Sequence, residues 1–324
     1  MIKVYLKGPL LTQSGYGHHS RTVLRALKTR KDLFDIFVQP IPWGQTSWVW
    51  ENNEERREFD SLLTKTIAHI NSDGHFDMSI QVTIPNEWEK LAPVNIGVTA
   101  GIEASVVSPK WIENSFLMDK IITISKFSKE VYENTIYQAH DKNTGKVVDY
   151  QTSIPIEYVP YPVLKSKPEK IDLDLESNFN FLAVAQLGPR KNVDQLIRNF
   201  VEQFRENEDV GLIIKSNMAK NSLIDRENTL VKFKRVLAAC GDRKCKVYLL
   251  HGYLSEEEMA GLYTHPKGKA HGRFKKRAKE LEKWLCEEFT EEKIYKQYVD
   301  HLEEYNSNMD EEVDDLFNEL AANQ

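Results

Sequence analysis

The stretch that decides the fold is residues 2–29, IKVYLKGPLLTQSGYGHHSRTVLRALKT. The apolar run Lys3–Leu6 predicts a buried strand, the segment Gly8–Ser14 a loop, and Gly17–Thr29 a helix. The apolar residues of that helix fall on one face: Val23, Leu24 and Leu27. A strand that passes through glycines into a helix is typical of a βαβ unit with a parallel sheet.

The same alternation continues through the first half of the chain. Helical spacing recurs over Glu54–Asn71, and either Ser125 or Ser128 is suited to cap a helix after the last of these strands. Four further apolar runs predict strands: Phe34–Val38, Met78–Val82, Val94–Val98 and Lys120–Ile124. The first half is therefore expected to form one α/β lobe.

A proline-rich segment, residues 155–171, separates this lobe from a second series. Its prolines (Pro155, Pro160, Pro162, Pro168) favour an extended connector and a domain boundary. The strands expected after it are Asn180–Ala185, Val210–Lys215 and Lys246–Leu250, and the helices are Asn192–Glu206, Thr229–Ala239 and Ser255–Thr264. Ser255 and Glu258 form a predicted capping box. Three strands make a small second lobe.

The pattern changes again after Lys267. Two charged amphipathic helices are expected at Arg273–Glu288 and Glu291–Tyr305, the second capped by Thr290, and the remaining residues form an acidic tail. The predicted organisation is an N-terminal Rossmann-like lobe at 1–162, a shortened lobe at 163–267, terminal helices at 268–305 and the tail at 306–324. The fold class is α/β, with the terminal helices packing back toward the first lobe.

Composition narrows the possible functions. The formal net charge of −6 weakly disfavours a general nucleic-acid binder. The sequence contains no run of about 18 apolar residues, so no membrane-spanning helix is predicted. The first residues enter a strand at once, which leaves no room for a signal peptide. Three cysteines without further ligands at metal spacing indicate free thiols rather than a zinc site. A cytoplasmic setting is expected.

Two glycine-containing turns are candidate ligand sites because each lies between a predicted strand and a helix. In the first, Gly15-Tyr16-Gly17, the backbone can approach a ligand closely, and the helix start offers unpaired N–H groups with about half a positive charge. A tight structural turn is an equal alternative, and the spacing is not the full dinucleotide fingerprint.

The second turn is Gly188-Pro189-Arg190-Lys191-Asn192. Two adjacent cations beside a helix start suit a diphosphate, since Arg190 can bind in a fork and Lys191 as a point charge. The alternative is a solvated loop in which Asn192 caps the helix. Both turns fall at strand carboxyl ends, where open α/β sheets bind ligands.

Five segments follow one another in a characteristic order: SGYGHHSRTVLRAL within Gln13–Leu27, VTAGIEASVVSPKW at Val98–Trp111 with MDKIITISK at Met118–Lys126, AVAQLGPRKNVDQL at Ala183–Leu196, LLHGYLSEEEMAGL at Leu249–Leu262, and the terminal helices at Phe274–Val299. On these motifs the chain resembles the GT-B glycosyltransferases of the family-4-like kind (glycosyl transferases group 1), from residue 1 to about residue 302. The resemblance implies two lobes and transfer of a sugar from a nucleotide-sugar donor to an acceptor hydroxyl, with retention of configuration and without a metal or cofactor.

The resemblance also implies residue roles. Gly15, Tyr16 and Gly17 would border the donor diphosphate, while Arg190 and Lys191 would neutralise it as the UDP or GDP departs. The nucleobase would lie between Tyr253 and Leu254. Glu103 would orient the sugar or acceptor, unless it is a surface carboxylate, and Lys215 is a further candidate, unless it is simply exposed. Gln186 stands where relatives usually carry a donor-binding arginine.

The sequence departs from the family after Pro266. Relatives continue with more strands and with a glycine-rich loop before a helix that carries two glutamates separated by seven residues. Glu280 and Glu288 have this spacing, but they lie in a lysine-rich helix without that loop. An internal deletion, natural or engineered, is the simplest explanation. The alternative function is therefore a catalytically impaired or non-catalytic remnant that at most binds nucleotide.

The remaining features leave the acceptor open among saccharide, lipid-linked, protein and nucleic-acid molecules. A homo-oligomer that completes the second lobe is a possible assembly. A basic cluster suits an anionic membrane or polyanion, or is a solvated helix face: Lys267, Lys269, Arg273, Lys275, Lys276, Arg277 and Lys279. Trp43, Trp48 and Trp50 either stack on an acceptor or form a small satellite core.

Overall fold

The structure, a computed structural model, describes residues 1–49, 52–140, 145–265 and 272–305. Two compact units divide the chain. The first comprises Met1–Gly44, Trp48–Val163 and the C-terminal part from Leu285, and the second comprises Leu164–Trp284 together with Gln45–Ser47.

Within its described residues, the first unit contains six parallel strands and a separate hairpin. The strands of its sheet are β1 (Ile2–Gly8), β2 (Phe34–Pro40), β3 (Met78–Val82), β4 (Val94–Val98), β5 (Lys120–Thr123) and β8 (Ile156–Tyr158), and the hairpin is formed by β6 (Tyr137–His140) and β7 (Val147–Tyr150). Its helices are α1 (Gly15–Lys28), α2 (Glu54–Asn71), α3 (Pro109–Ser115), α4 (Lys126–Glu133) and a terminal helix at 291–305 that we call α9.

The sheet of the first unit has the strand order β2-β1-β3-β4-β5-β8. All neighbouring strands run parallel, and Val4 of β1 lies in register with Ile36 of β2 and Met78 of β3. The strands are nearly continuous apolar runs because helices cover both faces of a parallel sheet. The α/β class and the Rossmann-like character of this lobe are confirmed.

The sixth strand corrects the interpretation of residues 155–171 as an extended connector throughout. Ile156–Tyr158 joins the sheet beside β5, where Ile121 pairs with Ile156. Proline is tolerated at the ends of an edge strand, and Pro155 and Pro160 flank these three residues. The hairpin of β6 and β7 was also absent from the sequence interpretation. Its two strands, YQAH and VVDY, mix apolar with polar residues over only four positions each, so they show neither an apolar run nor a clear periodicity.

The terminal helix α9 belongs to the core of the first unit. Ile294, Tyr298 and Leu302 are at most 1% exposed and pack in the same hydrophobic cluster as β1 and α1. The Thr290 hydroxyl accepts a hydrogen bond from the Lys293 amide at 3.3 Å, as expected for the predicted cap. The expectation that the chain returns to the first lobe is confirmed for this helix.

The second unit has a smaller parallel sheet with the strand order β11-β10-β9. Its elements are β9 (Phe179–Val184), α5 (Val193–Phe204), β10 (Val210–Lys215), α6 (Leu223–Ala239), β11 (Lys246–Leu250), α7 (Glu256–Tyr263) and most of α8 (Gly272–Glu288), which continues past the last residue of the unit, Trp284. Ile197, Ile214 and Phe233 centre its hydrophobic core. Three strands were predicted for this lobe, and three pair in the described part of the chain.

Helix caps explain several element boundaries. Ser125 caps α4, and Ser255 with Glu258 forms the predicted capping box at α7. Helix α6 begins six residues before the predicted start at Thr229, because Ser222 caps it through the Asp225 amide at 3.2 Å. Its first residues, Leu223 and Ile224, are both exposed and so lack the apolar periodicity that marks a buried helix face.

Some predictions concern residues outside the described ranges. These are the glycine-containing segment 268–271, the acidic tail 306–324 and Trp50, together with the side chains of the basic cluster up to Lys279. Among the helices of the described residues, none combines the length and the low polarity needed to cross a lipid bilayer.

The burial of α9 leads to a stability prediction. Tyr298→Ala removes a ring that is 1% exposed and whose hydroxyl lies 2.8 Å from the His19 ring nitrogen Nε2, so unfolding of the first unit should become easier by about 3–5 kcal/mol. Tyr298→Phe, which removes only the hydroxyl, should cost about 1–3 kcal/mol. Hydrogen exchange of β1 amides under increasing urea measures both values.

Phe127→Ala is the matched control for these variants. Phe127 belongs to the same unit but is 55% exposed, and its loss should change stability by no more than about 0.5 kcal/mol. A Tyr298→Ala protein as stable as this control would show that α9 does not anchor the unit.

Candidate functional site

The strand order of the first unit places its natural binding crevice. The sequential order of the strands reverses between β1 and β3, since β2 lies on one side of β1 and all later strands lie on the other. In open parallel sheets, ligands bind outside the carboxyl ends of the strands at such a switch point. The loop Pro9–Ser14 and the start of α1 follow the carboxyl end of β1, and Thr83 follows that of β3.

The two glycines of the first turn have different roles. Gly17 is buried, and a Cβ atom there would collide with the carbonyl oxygen of Thr12. Its amide donates to the Ser14 hydroxyl at 2.9 Å, which caps α1. The tight-turn alternative therefore accounts for Gly17. Gly15 is exposed, and among the described residues no atom beyond its chain neighbours and its own helix backbone lies within 4 Å of the position of its Cβ, so a ligand can approach there.

The loop before α1 is held by a buried arginine that the sequence interpretation did not identify. The Arg21 guanidinium donates to the carbonyl oxygens of Leu10 at 2.8 Å and Thr12 at 3.0 Å. The Thr12 hydroxyl in turn donates a hydrogen bond to the Pro9 carbonyl oxygen. Hydrogen bonds therefore hold three carbonyl groups near the start of α1, those of Pro9, Leu10 and Thr12. The position of Gly15 is thus set by a rigid loop.

Tyr16 connects the start of α1 to the loop after β4. Its hydroxyl lies 2.9 Å from the Thr99 hydroxyl and accepts a hydrogen bond from the Ala100 amide at 3.1 Å. Burial raises the pKa of the Tyr16 phenol, so this group stays protonated and keeps its donor. The Trp43 ring packs against Tyr16 at 4.5 Å between centroids, in agreement with the satellite-core alternative for this tryptophan.

Thr83 adds a polar atom at the switch point. Its side chain is fully buried, and its hydroxyl oxygen finds no hydrogen-bond partner among the described residues. Most buried hydroxyls in proteins are paired. No motif in the sequence marks this residue, since a threonine at a strand end is common.

Glu103 lies in the loop that follows β4 and is exposed. Its carboxylate makes no hydrogen bond or ion pair with a described residue. Gly101, two residues earlier, has a φ of +75° and packs against the Ser128 side chain, which shapes the loop. A role for Glu103 toward a sugar stays a prediction.

In the second unit, the turn after β9 carries the two predicted cations. Pro189–Lys191 forms a single 3-10 turn, and Arg190 and Lys191 are exposed, without an ion pair to any described residue. Asn192 adopts a left-handed conformation at φ 44° and its side chain does not cap α5, contrary to the alternative of a capped, solvated loop. The Asn192 side chain therefore does not occupy the amides at the start of α5, and these amides follow directly after the two cations.

Gln186 and Lys215 hold the neighbouring loops of the same sheet edge. The Gln186 amide nitrogen donates to the Met218 carbonyl oxygen at 2.9 Å, in the loop after β10. The Lys215 ammonium donates to the Gly252 carbonyl oxygen in the loop after β11. Desolvation lowers the pKa of Lys215, while the Glu258 carboxylate opposes the shift. Lys215 is thus half-buried rather than simply exposed.

Asp225 and His251 form a buried pair that sequence reasoning missed. The Asp225 carboxylate lies 2.8 Å from the His251 ring and accepts hydrogen bonds from the amides of Met218, Ala219 and Lys220. Desolvation raises the pKa of Asp225, but these hydrogen bonds outweigh it and hold the pKa below the usual value. An aspartate three residues after Ser222 was the available signal, since short polar side chains cap turns.

The remaining predicted residues can be placed briefly. Tyr253 and Leu254 are half-buried between β11 and α7, where a flanking role toward a base stays a prediction. Glu280 and Glu288 both lie exposed on α8. An Asp-x-Asp pair that was not among the predicted site residues, Asp172 and Asp174, precedes β9. It therefore lies before the amino end of that strand, whereas the Arg190 turn follows its carboxyl end.

The structure brings the site residues together within each unit. Tyr16 meets the loop after β4, and Gln186, Lys215 and the Arg190 turn share the carboxyl edge of the second sheet. The joint binding of one pyrophosphate by the Gly15 turn and the Arg190 turn stays a prediction.

Comparisons with known proteins give similarity of low degree. No protein-family model and no curated protein sequence matches the chain. A solved mutant structure of the O-GlcNAc transferase from Thermobaculum terrenum is 9% identical over 81% of this chain, with a TM-score of 0.41, and this chain spans 46% of it. A co-structure of S. aureus MnaA with UDP is 10% identical over 81% of this chain and 71% of its own, with a TM-score of 0.37.

The buried His19 beside this site leads to a pH prediction. Its ring lies between the hydroxyls of Tyr298 at 2.8 Å and Tyr161 at 3.4 Å, and desolvation lowers the pKa of His19 to about 3. An unfolded histidine takes up its proton near pH 6.5. The stability that neutral His19 contributes is therefore complete above pH 6.5 and is lost as the pH falls toward 3, by up to about 1.4 kcal/mol per pH unit.

His19→Gln should flatten the decrease in unfolding free energy between pH 6.5 and 4, because glutamine has no proton to gain. The exposed neighbour serves as the control, and His18→Gln should keep the wild-type slope. Urea denaturation at a series of pH values measures the slopes. Equal slopes for wild type and His19→Gln would rule out this histidine as the source of acid sensitivity.

Proposed function

We propose that the chain is a glycosyltransferase that moves a sugar from a UDP- or GDP-linked donor to an acceptor hydroxyl. The observation that carries the proposal is the paired design of the units. Each has a glycine-containing turn between a strand and a helix at the carboxyl edge of a parallel sheet, with open space beside the Cα of Gly15 in one and of Gly188 in the other. The second turn adds two exposed cations.

The donor diphosphate is proposed to bind at the Arg190 turn. Arg190 offers a planar fork of donors and Lys191 a compact charge, and the start of α5 adds about half a positive charge. During transfer, the bond between the sugar and the diphosphate oxygen breaks, and that oxygen keeps the electron pair. The two cations then stabilise the departing charge, so a metal ion is not required for that purpose.

The acceptor oxygen forms the new bond to the sugar carbon, and its proton passes to the departing phosphate oxygen. Such a transfer on one face retains the configuration of the sugar. In the first unit, the open backbone at Gly15 is proposed to border the diphosphate, and Tyr16 holds the loop that carries Glu103. Glu103 is then a positioning residue for sugar or acceptor hydroxyls.

The nucleobase is proposed to lie against Tyr253 and Leu254. Gly252, just before them, has a φ of +110°, and its carbonyl is held by the Lys215 ammonium. Lys215 is therefore assigned a positioning role for the base loop. The acceptor class remains open among saccharide, lipid-linked, protein and nucleic-acid molecules.

A second function is favoured by one specific observation. Only three strands pair in the sheet of the second unit within the described residues, and Glu280 and Glu288, the two glutamates with the expected spacing, are exposed on α8. A protein that binds a nucleoside diphosphate without transferring a sugar agrees with this arrangement.

Calorimetry with UDP and with GDP tests the binding site. The double variant Arg190→Ala/Lys191→Ala should weaken binding of the preferred nucleotide by at least about 100-fold, since two charge-assisted hydrogen bonds are lost and each contributes about 1.5–3 kcal/mol. Lys234→Ala/Arg235→Ala removes an equivalent exposed pair from α6 and should leave the affinity unchanged.

A nucleotide-sugar panel then separates the two functions. Release of free nucleoside diphosphate from one donor, lost in the Arg190→Ala/Lys191→Ala protein, supports transfer. Tight nucleotide binding with no turnover of any donor supports the binding-only function. Absence of heat with both nucleotides would contradict both.

A further inference from the structure

Strand β9 forms an open edge of the second sheet. It pairs with β10 on one side, and no described strand pairs with it on the other. An open edge presents unpaired N–H and C=O groups that can template another strand. This edge is independent of the nucleotide chemistry proposed above.

The direction of the backbone groups along β9 follows from its contacts. The amides of Phe179 and Ala185 donate toward the β10 side, to Asp209 at 2.9 Å and Lys215 at 3.1 Å. Because successive residues of a strand point their amides to opposite sides, the even-numbered residues Asn180, Leu182 and Val184 direct their N–H and C=O groups outward.

Apolar side chains flank the open edge on both faces. Phe181 is 41% exposed and contacts the rings of Phe200 and Phe204, which lie on α5. Val184, on the opposite face of the strand, is 42% exposed. A strand added at this edge would remove apolar surface from water on both faces.

Among the edge strands of the two parallel sheets in the described residues, β9 alone has neither a charge nor a proline. The others contain Asp35 and Pro40 in β2, Glu157 in β8 and Lys246 in β11. Charges and prolines are the usual devices that keep an edge from pairing. Their absence over the six residues FNFLAV marks an edge that is suited to pair.

We propose that β9 is the dimer interface of this protein and pairs with β9 of a second copy. An antiparallel pair centred on Leu182 lets Leu182 exchange both hydrogen bonds with Leu182 of the other copy. In this register Asn180 pairs with Val184 of the other copy, and Val184 pairs with Asn180 of the other copy. All three outward-facing residues of each strand then have hydrogen-bond partners. The two small sheets become one continuous six-stranded sheet.

The second copy is the occupant that fits this edge best. A two-fold axis through Leu182 satisfies the same groups on both strands, as an isologous interface requires. The strand is uncharged, so two identical strands meet without repulsion between like charges. Phe181 faces Ala183 of the other copy, a large residue opposite a small one.

Site-directed cross-linking tests the register. Leu182→Cys should give a covalent dimer with a short thiol–thiol cross-linker, because paired residues across an antiparallel ladder lie about 5.5 Å apart at Cα. The parent protein measures the background from Cys240, Cys245 and Cys286, and Val231→Cys is the matched control on the exposed face of α6. Linking of Val231→Cys as efficiently as Leu182→Cys, or no linking of Leu182→Cys, would overturn the proposal.

Sedimentation velocity tests the dimer without a new thiol. The parent should sediment as a concentration-dependent dimer, and Val184→Lys should shift the dissociation constant upward by at least tenfold, since it places a charge beside the paired strand. Val231→Lys, at a site that is 60% exposed, should leave it unchanged. A parent that is monomeric at all concentrations, or a Val184→Lys protein that dimerises like the parent, would contradict the interface.

Discussion

The close approach of α1 to the loop after β1 is the constraint on which the first unit depends. Gly17 allows it, because any side chain there would meet the Thr12 carbonyl. Arg21 of α1 donates a hydrogen bond to the Leu10 carbonyl oxygen in this loop, and His19 of the same helix is hydrogen-bonded to Tyr298 of α9. The open backbone at Gly15 is therefore presented by a helix that is anchored at successive turns, at the one place where the strand order reverses.

The second unit depends on β9 in two ways. Its carboxyl end leads into the Arg190 turn, whose cations lie at the start of α5, and its outer side is an open edge. Three side chains hold the loops beside the turn by hydrogen bonds to their backbone. Gln186 and Lys215 donate to carbonyl oxygens, and Asp225 accepts from amides. The positive charge is thus concentrated on the Arg190 turn, while the polar side chains around it hold the loops at the carboxyl edge of the second sheet.

Much of the fold could be predicted from periodicity, because parallel strands buried on both faces are distinct apolar runs. The strands β1 to β5 and β9 to β11 were predicted in this way, and the caps at Ser125 and Ser255 had local signals. The hairpin of β6 and β7 and strand β8 were missed, since their three or four residues include polar or charged side chains and do not form an apolar run like that of β5.

The candidate site was predictable only where glycines or charges mark a turn. Thr83 and Arg21 carry no motif, and the spacing of Ser222 and Asp225 marks a helix start but not the pairing of Asp225 with His251, because these roles come from residues distant in sequence or from burial. The distinction between Gly15 and Gly17 likewise required coordinates: one faces open space and the other a carbonyl.

The Gly15 turn and the Arg190 turn are both proposed to bind the diphosphate of a nucleotide. Hydrogen exchange of the whole chain with and without saturating UDP or GDP tests this claim most directly, because diphosphate oxygens accept hydrogen bonds from exposed amides at helix starts. We predict slower exchange in two separate peptides, one covering residues 13–20 and one covering residues 186–196. Protection of only one of these peptides, or of neither while the nucleotide is bound, would contradict the claim.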